Sequence, residues 1–548
     1  MFVHPSTNFK FRNTNEFIDF VRGPESNLYL FVGRTSSWED DTNPPAINFS
    51  EKEKRDTWDD MMILRRVRET DIVPGIRRIG WSSGTVYQEY NDEIGLEDTN
   101  FYVFTQERNI YLCISNNGGS PSTVKPTHVS ENVVEESDGY KWKYMTTVSD
   151  SAVNKFILND FIPIESDQEI FESATPGAIE HIRIDSAGTG YPANASVSVG
   201  NEIPVFIEGN GDQVSTARAS VTTLQGTITS ISLTDFGSDY FFSPGVEFPV
   251  AIRQIGSNGI NQTAYGIATT DLNGQVDSVD VVIEGSNYQT GEVIIVQSSA
   301  EGYAETNSLG QIIDADMRIG RTGENFFKAR AIPVVPTGSS SAVITPVISP
   351  EGGFGSNQFK QLYAHYALIS IEIDPTDVTD ILSLNEFRRI GLINNPLEYN
   401  DNPLSSDGAI AESDGYIYDS AGELVGTEYT GQTADARSRV ILNTTTENFE
   451  DDETIVGETS GAIGLAITKF EDDTLRFTID DSLLSEDDIQ FTTGEQVRGL
   501  SSGAIAGVTS FVPPDVEKYS GEIYHINNIE PIIRSNDQKI LVTFALKY

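Results

Sequence analysis

One pattern recurs three times between residues 177 and 291: a glycine, ten residues, a second glycine, two residues, a tyrosine. The copies are Gly177, Gly188 and Tyr191, then Gly226, Gly237 and Tyr240, then Gly274, Gly285 and Tyr288, and they step by 49 and then 48 residues. Apolar columns repeat with them: Ile179, Ile228 and Val276, then Ile182, Ile231 and Val279, then Ile184, Leu233 and Val281. The second and third columns alternate with polar residues, the period of a half-buried strand. The first column is out of phase with them, which predicts a bulge near the start of each strand. Each glycine is expected where the backbone needs positive φ. Asn273-Gly274 reads as a hairpin turn, with Leu224-Gln225-Gly226 in the equivalent place. Each tyrosine is expected to pack over the start of the next strand. Glycine–tyrosine turns also suit ligand sites, but three copies of one unit are better explained by a shared fold than by three shared sites. Repeated units build surface and spacing rather than one reactive constellation.

With 548 residues the chain is too long for one core. An apolar fraction of 38% is enough to fold, and 46 glycines without a long helical period imply short strands and many turns. The balance of 36 basic and 82 acidic residues gives a net charge of −46. Such a surface repels phosphate backbones and anionic lipid, so no nucleic acid and no membrane are expected as partners. Local basic groups such as Arg65, Arg66 and Arg68 are then candidates for protein contacts. The single cysteine, Cys113, rules out an intrachain disulfide and fits synthesis in a reducing cytoplasm. Residues 1–12 lack the apolar stretch of a signal peptide, and no run approaches the ~18 apolar residues of a spanning helix.

The expected fold class is mainly β, with short strands, many turns, β-rich repeats and a few short helices. Tyr29 to Val32 is a short buried strand. Asp56 to Glu69 is expected to be a helix, with Asp56 as cap, Asp59 and Asp60 in its first turn and Arg65, Arg66 and Arg68 in its last. Phe101–Thr105 and Ile110–Ile114 read as a hairpin, and Asp138-Gly139-Tyr140-Lys141-Trp142 opens another strand. Tyr366–Ile373 alternates as a strand, and Asp377–Phe387 reads as a short helix. A second repeat, offset by 42, relates Glu453, Gly457 and Ser460-Gly461-Ala462-Ile463 to Glu495, Gly499 and Ser502-Gly503-Ala504-Ile505. It suggests paired hairpins of a small β-module. Gly521–Phe544 reads as two strands around Pro531.

Reactive chemistry leaves few traces. His4, His128, His181, His365 and His525 are scattered, so no zinc spacing exists and no metal site is expected. Gly188-Thr189-Gly190 is too short for a dinucleotide fingerprint, no nucleophile elbow stands out, and no cofactor or catalytic residue is expected. The runs Glu450-Asp451-Asp452-Glu453 and Glu486-Asp487-Asp488 lack the ligand spacing of a calcium loop and read as solvated loop charges.

Several blocks carry a more specific signal. Tyr29-Leu-Phe-Val-Gly33-Arg34 with Trp38, Asp40, Asp41 and Pro44-Pro45 resembles the opening of baseplate proteins of contractile-tailed bacteriophages. Tyr111 to Gly118, Pro121-Ser122-Thr123, Pro126-Thr127 and Asp138 to Tyr144 resemble the next block of that family. Phe387-Arg388-Arg389-Ile390-Gly391-Leu392-Ile393, Asn395-Pro396-Leu397-Glu398, Ser520 to Tyr524, Pro531-Ile532-Ile533 and Lys539 to Phe544 follow in order. Together they resemble the T-even-type baseplate wedge subunit known as gene product eight. The resemblance implies a non-enzymatic virion protein of the tail baseplate, assembled in the host cytoplasm and built of several packed β-sandwich modules with a few short helices and inserted β-rich repeats. It further implies a homodimer bound to other wedge proteins, with no cofactor. It divides the chain into a core at 1–170, an inserted repeat region at 171–350, a return to the core at 351–410, a second inserted module at 411–515 and closing strands at 516–548. Trp38 and Trp58 are the candidate contact residues. Two other functions remain open: a carbohydrate- or receptor-binding tail module using calcium, and a polysaccharide-degrading enzyme using a carboxylate pair.

Overall fold

The computed structural model describes residues 6–24, 26–92, 94–240, 245–254, 264–335, 342–373, 386–399, 410–411, 417–418, 428–443, 448–450, 452–469, 474–478, 490–532 and 539–547. The expected mainly-β class is observed, with 47% strand, 10% helix, many antiparallel sheets and a closed barrel. The chain forms two compact units, one from 1–8, 76–150 and 164–364, the other from 9–75, 151–163 and 365–548. The stretches 1–170 and 351–410 therefore each contribute to both units.

The second unit holds a sandwich. One sheet runs in the order Thr433–Asp435, Met61–Arg66, Leu28–Gly33, Phe387–Asn394, Glu522–Ile532; the other runs Ile540–Lys547, Tyr366–Ile373, Ile72–Arg77, Phe161–Pro163. Strand Leu28–Gly33 is buried on both faces, and its two-residue period sorts its side chains. Leu28, Leu30 and Val32 meet Ile369, Ile371 and Val542 of the other sheet, together with Ile18 and Val21 of helix Thr7–Arg22. Tyr29 and Phe31 face a separate cluster with Trp58, Met61 and Ile526.

The helix expected at 56–69 lies elsewhere. It spans Glu51–Asp60, capped by Ser50, whose side chain accepts from the Glu53 N–H. Ser50 and Glu53 have the S-x-x-E spacing of a helix start. Met61–Arg66 is a strand paired with Leu28–Gly33 and, over Ile63–Arg65, with Thr433–Asp435, so burial of Met61–Leu64 overrides the charge pattern that suggested a last helical turn. The helix expected at Asp377–Phe387 falls largely outside the described residues; Phe387 itself opens a strand.

The 42-residue repeat builds a closed six-stranded barrel in this unit, ordered Ser438–Leu442, Thr474–Thr478, Ile463–Lys469, Thr454–Gly457, Gln496–Gly499, Ile505–Val512. Each copy supplies one antiparallel pair, and the copies join where Ile455 and Gly457 face Gly499 and Val497.

In the first unit, the hairpin Tyr102–Phe104/Asn109–Ser115 extends through Lys141–Thr147 to Val134–Glu135. Most of the remainder of that unit is the repeat region, which contains four copies of the repeat where three were expected. The fourth is Gly310, Gly323 and Phe326: two residues longer between its glycines, and with phenylalanine for tyrosine. All eight glycines have φ between +62° and +86°, as expected; Gly237 stands at +65° and Gly285 at +67°. The predicted bulge is present in all four strands, where Ile179, Ile228, Val276 and Ile312 are each separated from the next paired residue by one unpaired position.

The copies do not form a linear array. Tyr191 N–H donates to Gly310 O at 3.1 Å and Phe326 N–H to Gly177 O at 3.2 Å; Tyr240 N–H donates to Gly274 O at 3.2 Å and Tyr288 N–H to Gly226 O at 2.9 Å. Copies one and four thus exchange bonds, as do copies two and three. Each pair encloses its own core, one around Ile182, Val205 and Ala315, the other around Val221, Val250 and Ile295. The inner module, from Gln213 to Ser298, is inserted into the outer one. In the inner module the third strand of each copy, Phe248–Gln254 or Gly291–Ser298, pairs with the opening strand of the other. Copy one is circularly permuted, because its opening strand is Val343–Ile348 at the far end of the insertion.

Candidate functional site

The tyrosine turns are the first candidates. In each copy the second glycine (Gly188, Gly237, Gly285 or Gly323) starts a sharp reversal in which the third residue is also left-handed: Gly190, Asp239, Asn287 and Asn325. The expectation for these glycines was incomplete, because positive φ is only half of what their positions require. Each also makes room for a neighbouring strand. A Cβ on Gly237 would lie 2.5 Å from Ala217 N, and one on Gly285 would lie 2.7 Å from Ala264 N. Gly188 and Gly323 stand in the same relation to Ala342 N, at 2.4 Å, and Ala300 N, at 2.9 Å.

The reversal throws the ring back over its own hairpin. Tyr240 Oη accepts from Ala217 N–H at 2.9 Å and donates to Ile295 O at 2.7 Å. Tyr288 Oη accepts from Ala264 N–H at 3.2 Å and donates to Ile252 O. Each hydroxyl therefore ties the start of its own copy's opening strand to the other copy's third strand, and both are spent on backbone. The Tyr240 ring also meets Phe248 at the start of the next strand, as expected, with centroids 6.4 Å apart. Tyr191 is half-buried against the outer core, in the place that Phe326 takes in copy four.

The barrel uses its repeated glutamates in the same reciprocal way. Glu495 accepts from Thr459 N–H, Ser460 N–H and Ser460 Oγ at 2.9 to 3.0 Å, while Glu453 accepts from Ser501 N–H, Ser502 N–H and Ser502 Oγ at 2.8 to 3.1 Å. Each copy's carboxylate caps the other copy's turn. Glu453 is only 3% exposed, a structural group rather than the solvated loop charge expected from its acidic run. Asp451 and Glu486 to Asp488 lie outside the described residues. Burial pushes both carboxyls up, but the hydrogen bonds outweigh it and hold them below the usual range. A depressed pKa stabilises the fold above the unfolded value and loses that stabilisation as pH falls through the folded value. The barrel is therefore expected to weaken below about pH 4. Glu453→Gln with Glu495→Gln should flatten this dependence and cost about 1–3 kcal/mol per site at neutral pH. Amide exchange across Thr454–Gly457 between pH 3 and 7 measures it; an unchanged acid transition in the double variant would refute the assignment.

The residues that carried the family resemblance converge in two places. In the first unit, Asp138 accepts from Thr123 N–H at 2.6 Å, Val124 N–H at 2.8 Å and Tyr140 N–H at 3.2 Å, tying Pro121-Ser122-Thr123 to the next strand. Tyr140 stacks on Trp142 with centroids 5.5 Å apart, and Tyr87 meets Trp142 edge-on at 5.5 Å.

In the second unit, Leu28–Gly33 pairs with Phe387–Asn394, Gly33 opposite Arg389. Arg388 grips Asp41 with two bonds of 2.9 Å and also bonds Thr35 O and Glu386. Arg389 bonds Glu53 Oε1 at 2.9 Å, Asn528 Oδ1 at 2.9 Å, Thr57 Oγ1 at 3.1 Å and Asp60 Oδ2 at 3.2 Å. Trp38 lies under Arg34, 3.9 Å from the guanidinium carbon, and donates from Nε1 to Ile529 O at 3.1 Å. Trp38 is thus a half-exposed lid on this network, whereas Trp58, 6% exposed, is a core residue. Of the three arginines proposed as a basic patch, Arg65 is buried and Arg66 is anchored to Ser26 O at 2.7 Å and Thr430 O at 3.1 Å; Arg68 is exposed.

Among the described residues, no group of three or more His, Cys, Asp or Glu side chains is arranged to hold a metal ion, and no helix is long and apolar enough to cross a membrane. The chain matches no protein-family model, and no curated protein matches it.

Proposed function

We propose that this chain is a structural subunit of a contractile phage tail, a baseplate wedge protein of the gene-product-eight type. One observation carries the reading. The resembling blocks around Gly33-Arg34, Asp41, Phe387-Arg388-Arg389 and Asn395-Pro396-Leu397 are separated by hundreds of residues, yet they belong to one continuous sheet and its buried ionic network. Asn395 N–H reaches Asn27 O at 3.1 Å, and Leu397 N–H reaches Ser520 Oγ at 2.9 Å, which adds the closing block to the same assembly. A signature scattered along a chain is meaningful when its members determine one local structure. On this reading the function is mechanical: a stiff body holds neighbouring wedge proteins in register while the baseplate rearranges. Side chains committed to internal hydrogen bonds suit that task, since close-packed interiors transmit strain.

The expected behaviour is a homodimer of twice 60.1 kDa that co-purifies with wedge proteins encoded beside it. Sedimentation and co-expression measure both properties. A monomer that binds none of the neighbouring tail proteins would overturn the proposal.

A further inference from the structure

A small polar cleft opens at one edge of the sandwich in the second unit. Its volume is ≈270 Å³, and its walls come from Arg65, Arg68, Thr70, Asp71, Lys155, Ile371 and Glu372. Arg65 is the penultimate residue of the first sheet's strand Met61–Arg66, while Ile371 and Glu372 belong to the facing sheet. Residues 67–71 carry the chain from one sheet to the other, and Asp71 braces that crossing. Its Oδ2 accepts from Arg68 N–H at 3.0 Å and its Oδ1 from Lys155 Nζ at 2.7 Å, while Lys155 also donates to Thr70 O at 2.8 Å. Arg68 Nε donates to Gln432 Oε1 at 3.0 Å, which steadies an exposed guanidinium at the rim.

The charge of this cleft runs against that of the molecule. Three cations and two carboxylates line it, and both carboxylates are matched, Asp71 by the lining Lys155 and Glu372 by Lys539 from outside the lining, each at 2.7 Å. In a chain of net charge −46, a concave site with excess positive charge is an exception to the surface around it. Arginine beside lysine suits an oxyanion, with charge-assisted bonds from a planar fork and a point charge.

We infer that this cleft receives one or two carboxylate side chains from an acidic segment of a partner protein. Size supports that occupant. A water occupies about 30 Å³ of liquid, so the cleft has room for a short side chain or two, at the lower edge of the ~300–1,000 Å³ of ordinary small-molecule pockets. Field supports it too: a long polyanion such as nucleic acid is repelled by the molecule as a whole, whereas one or two carboxylates feel mainly the cations they touch.

The test uses the full chain and a fluorescein-labelled hexaglutamate peptide followed by polarisation, so its outcome is independent of the assembly experiment above. Saturable binding is expected, weakening as salt rises from about 50 to about 150 mM. Arg68→Glu should weaken it about tenfold or more without changing the melting profile. Arg12→Glu, at an exposed ion pair on helix Thr7–Arg22, should leave it unchanged. No saturation by about 10 mM peptide, or equal weakening in both variants, overturns the inference. Inorganic phosphate that binds in an Arg68-dependent way while the peptide does not would assign the cleft to a free anion and overturn the polypeptide occupant.

Discussion

Gly310→Ala is expected to open the outer repeat module, with amide exchange at Tyr191 and along Ile312–Thr322 faster by about two to three powers of ten. Two costs combine. Gly310 has φ +67°, a conformation that costs an L-residue about 1–2 kcal/mol. A Cβ there would also lie 2.3 Å from Tyr191 O and 3.2 Å from Tyr191 N, so backbone must move rather than a flexible side chain. That movement breaks the Tyr191 N–H bond to Gly310 O, one of the two reciprocal glycine–aromatic bonds between copies one and four. The sum is about 3–5 kcal/mol, and every 1.4 kcal/mol is tenfold in exchange. Gly320→Ala is the control. It has φ +72° with nothing within 4 Å of the added carbon, so only the conformational cost of about 1–2 kcal/mol applies. Local exchange is the right measurement, because a chain with several cores has no single unfolding free energy. If the two variants behave alike, the exchanged glycine–tyrosine bond does not hold the module together.

The sequence alone does not lead to this expectation, although its ingredients are there. Gly274-Gln275-Val276 and Gly310-Gln311-Ile312 are near-identical turns. The fourth copy escaped because Thr322 pairs with Ala300 while Met317 pairs with Gly302, so the residues between them bulge outward and lengthen the glycine spacing by two. Periodicity reports a hairpin faithfully, since a strand's faces alternate in every context, and it placed the bulges of the three recognised copies correctly. The positive φ of Gly237 and Gly285 was legible in the same way, but the strand packed against them was not. Partner choice is different. Nothing local in a repeat says whether it bonds to the next copy or to one 133 positions away, as Gly177 and Gly310 show. That is decided by which pairing encloses a core, and it turned an expected array into two nested pairs.

Charge patterns misled for a related reason. Arg65 and Arg66 follow acidic residues as they would at a helix C-terminus, but Met61-Met62-Ile63-Leu64 between them is buried, and Ile63 and Leu64 are paired on both sides. A helix dipole term of about 0.3–1 kcal/mol cannot compete with burial of four large apolar side chains at ~1.5–3 kcal/mol each. Likewise Glu453 and Glu495 looked like two more charges among 82, and only the barrel closure shows that they cap each other's turns. Their shared offset of 42 was the one signal in the sequence that set them apart.

The largest side-chain effect is expected at Arg389. The residue is 3% exposed, and its guanidinium serves Glu53, Asp60, Thr57 and Asn528 at once. Burial pushes Arg389 down and the Asp60 carboxyl up from their ordinary values, so each ion depends on its partners to remain charged. Arg389→Met fills the space but leaves Glu53 and Asp60 with Arg34 as the remaining cation bonded to Asp60 at 3.2 Å. Breaking a buried pair in this way costs about 3–5 kcal/mol. Loss of order in residues 34–45 should accompany it, because Trp38 sits 5.5 Å from Arg389 and Arg34 is drawn away from that ring. Trp38 fluorescence and exchange in residues 34–45 report it. Lysine should rescue poorly, since an ammonium cannot span four acceptors in one plane. The pH dependence separates an ionic loss from a packing loss. A carboxyl whose folded pKa is raised destabilises the fold above that pKa, and removing Arg389 raises Asp60 further. The deficit of Arg389→Met should therefore shrink as pH falls toward the carboxylate range, and Asp60→Asn should recover part of it at neutral pH. A deficit that is constant with pH and additive with Asp60→Asn would mean that Arg389 acts by packing alone, and the network joining Asp41, Arg388, Arg389 and Glu53 would lose its claim to define this domain.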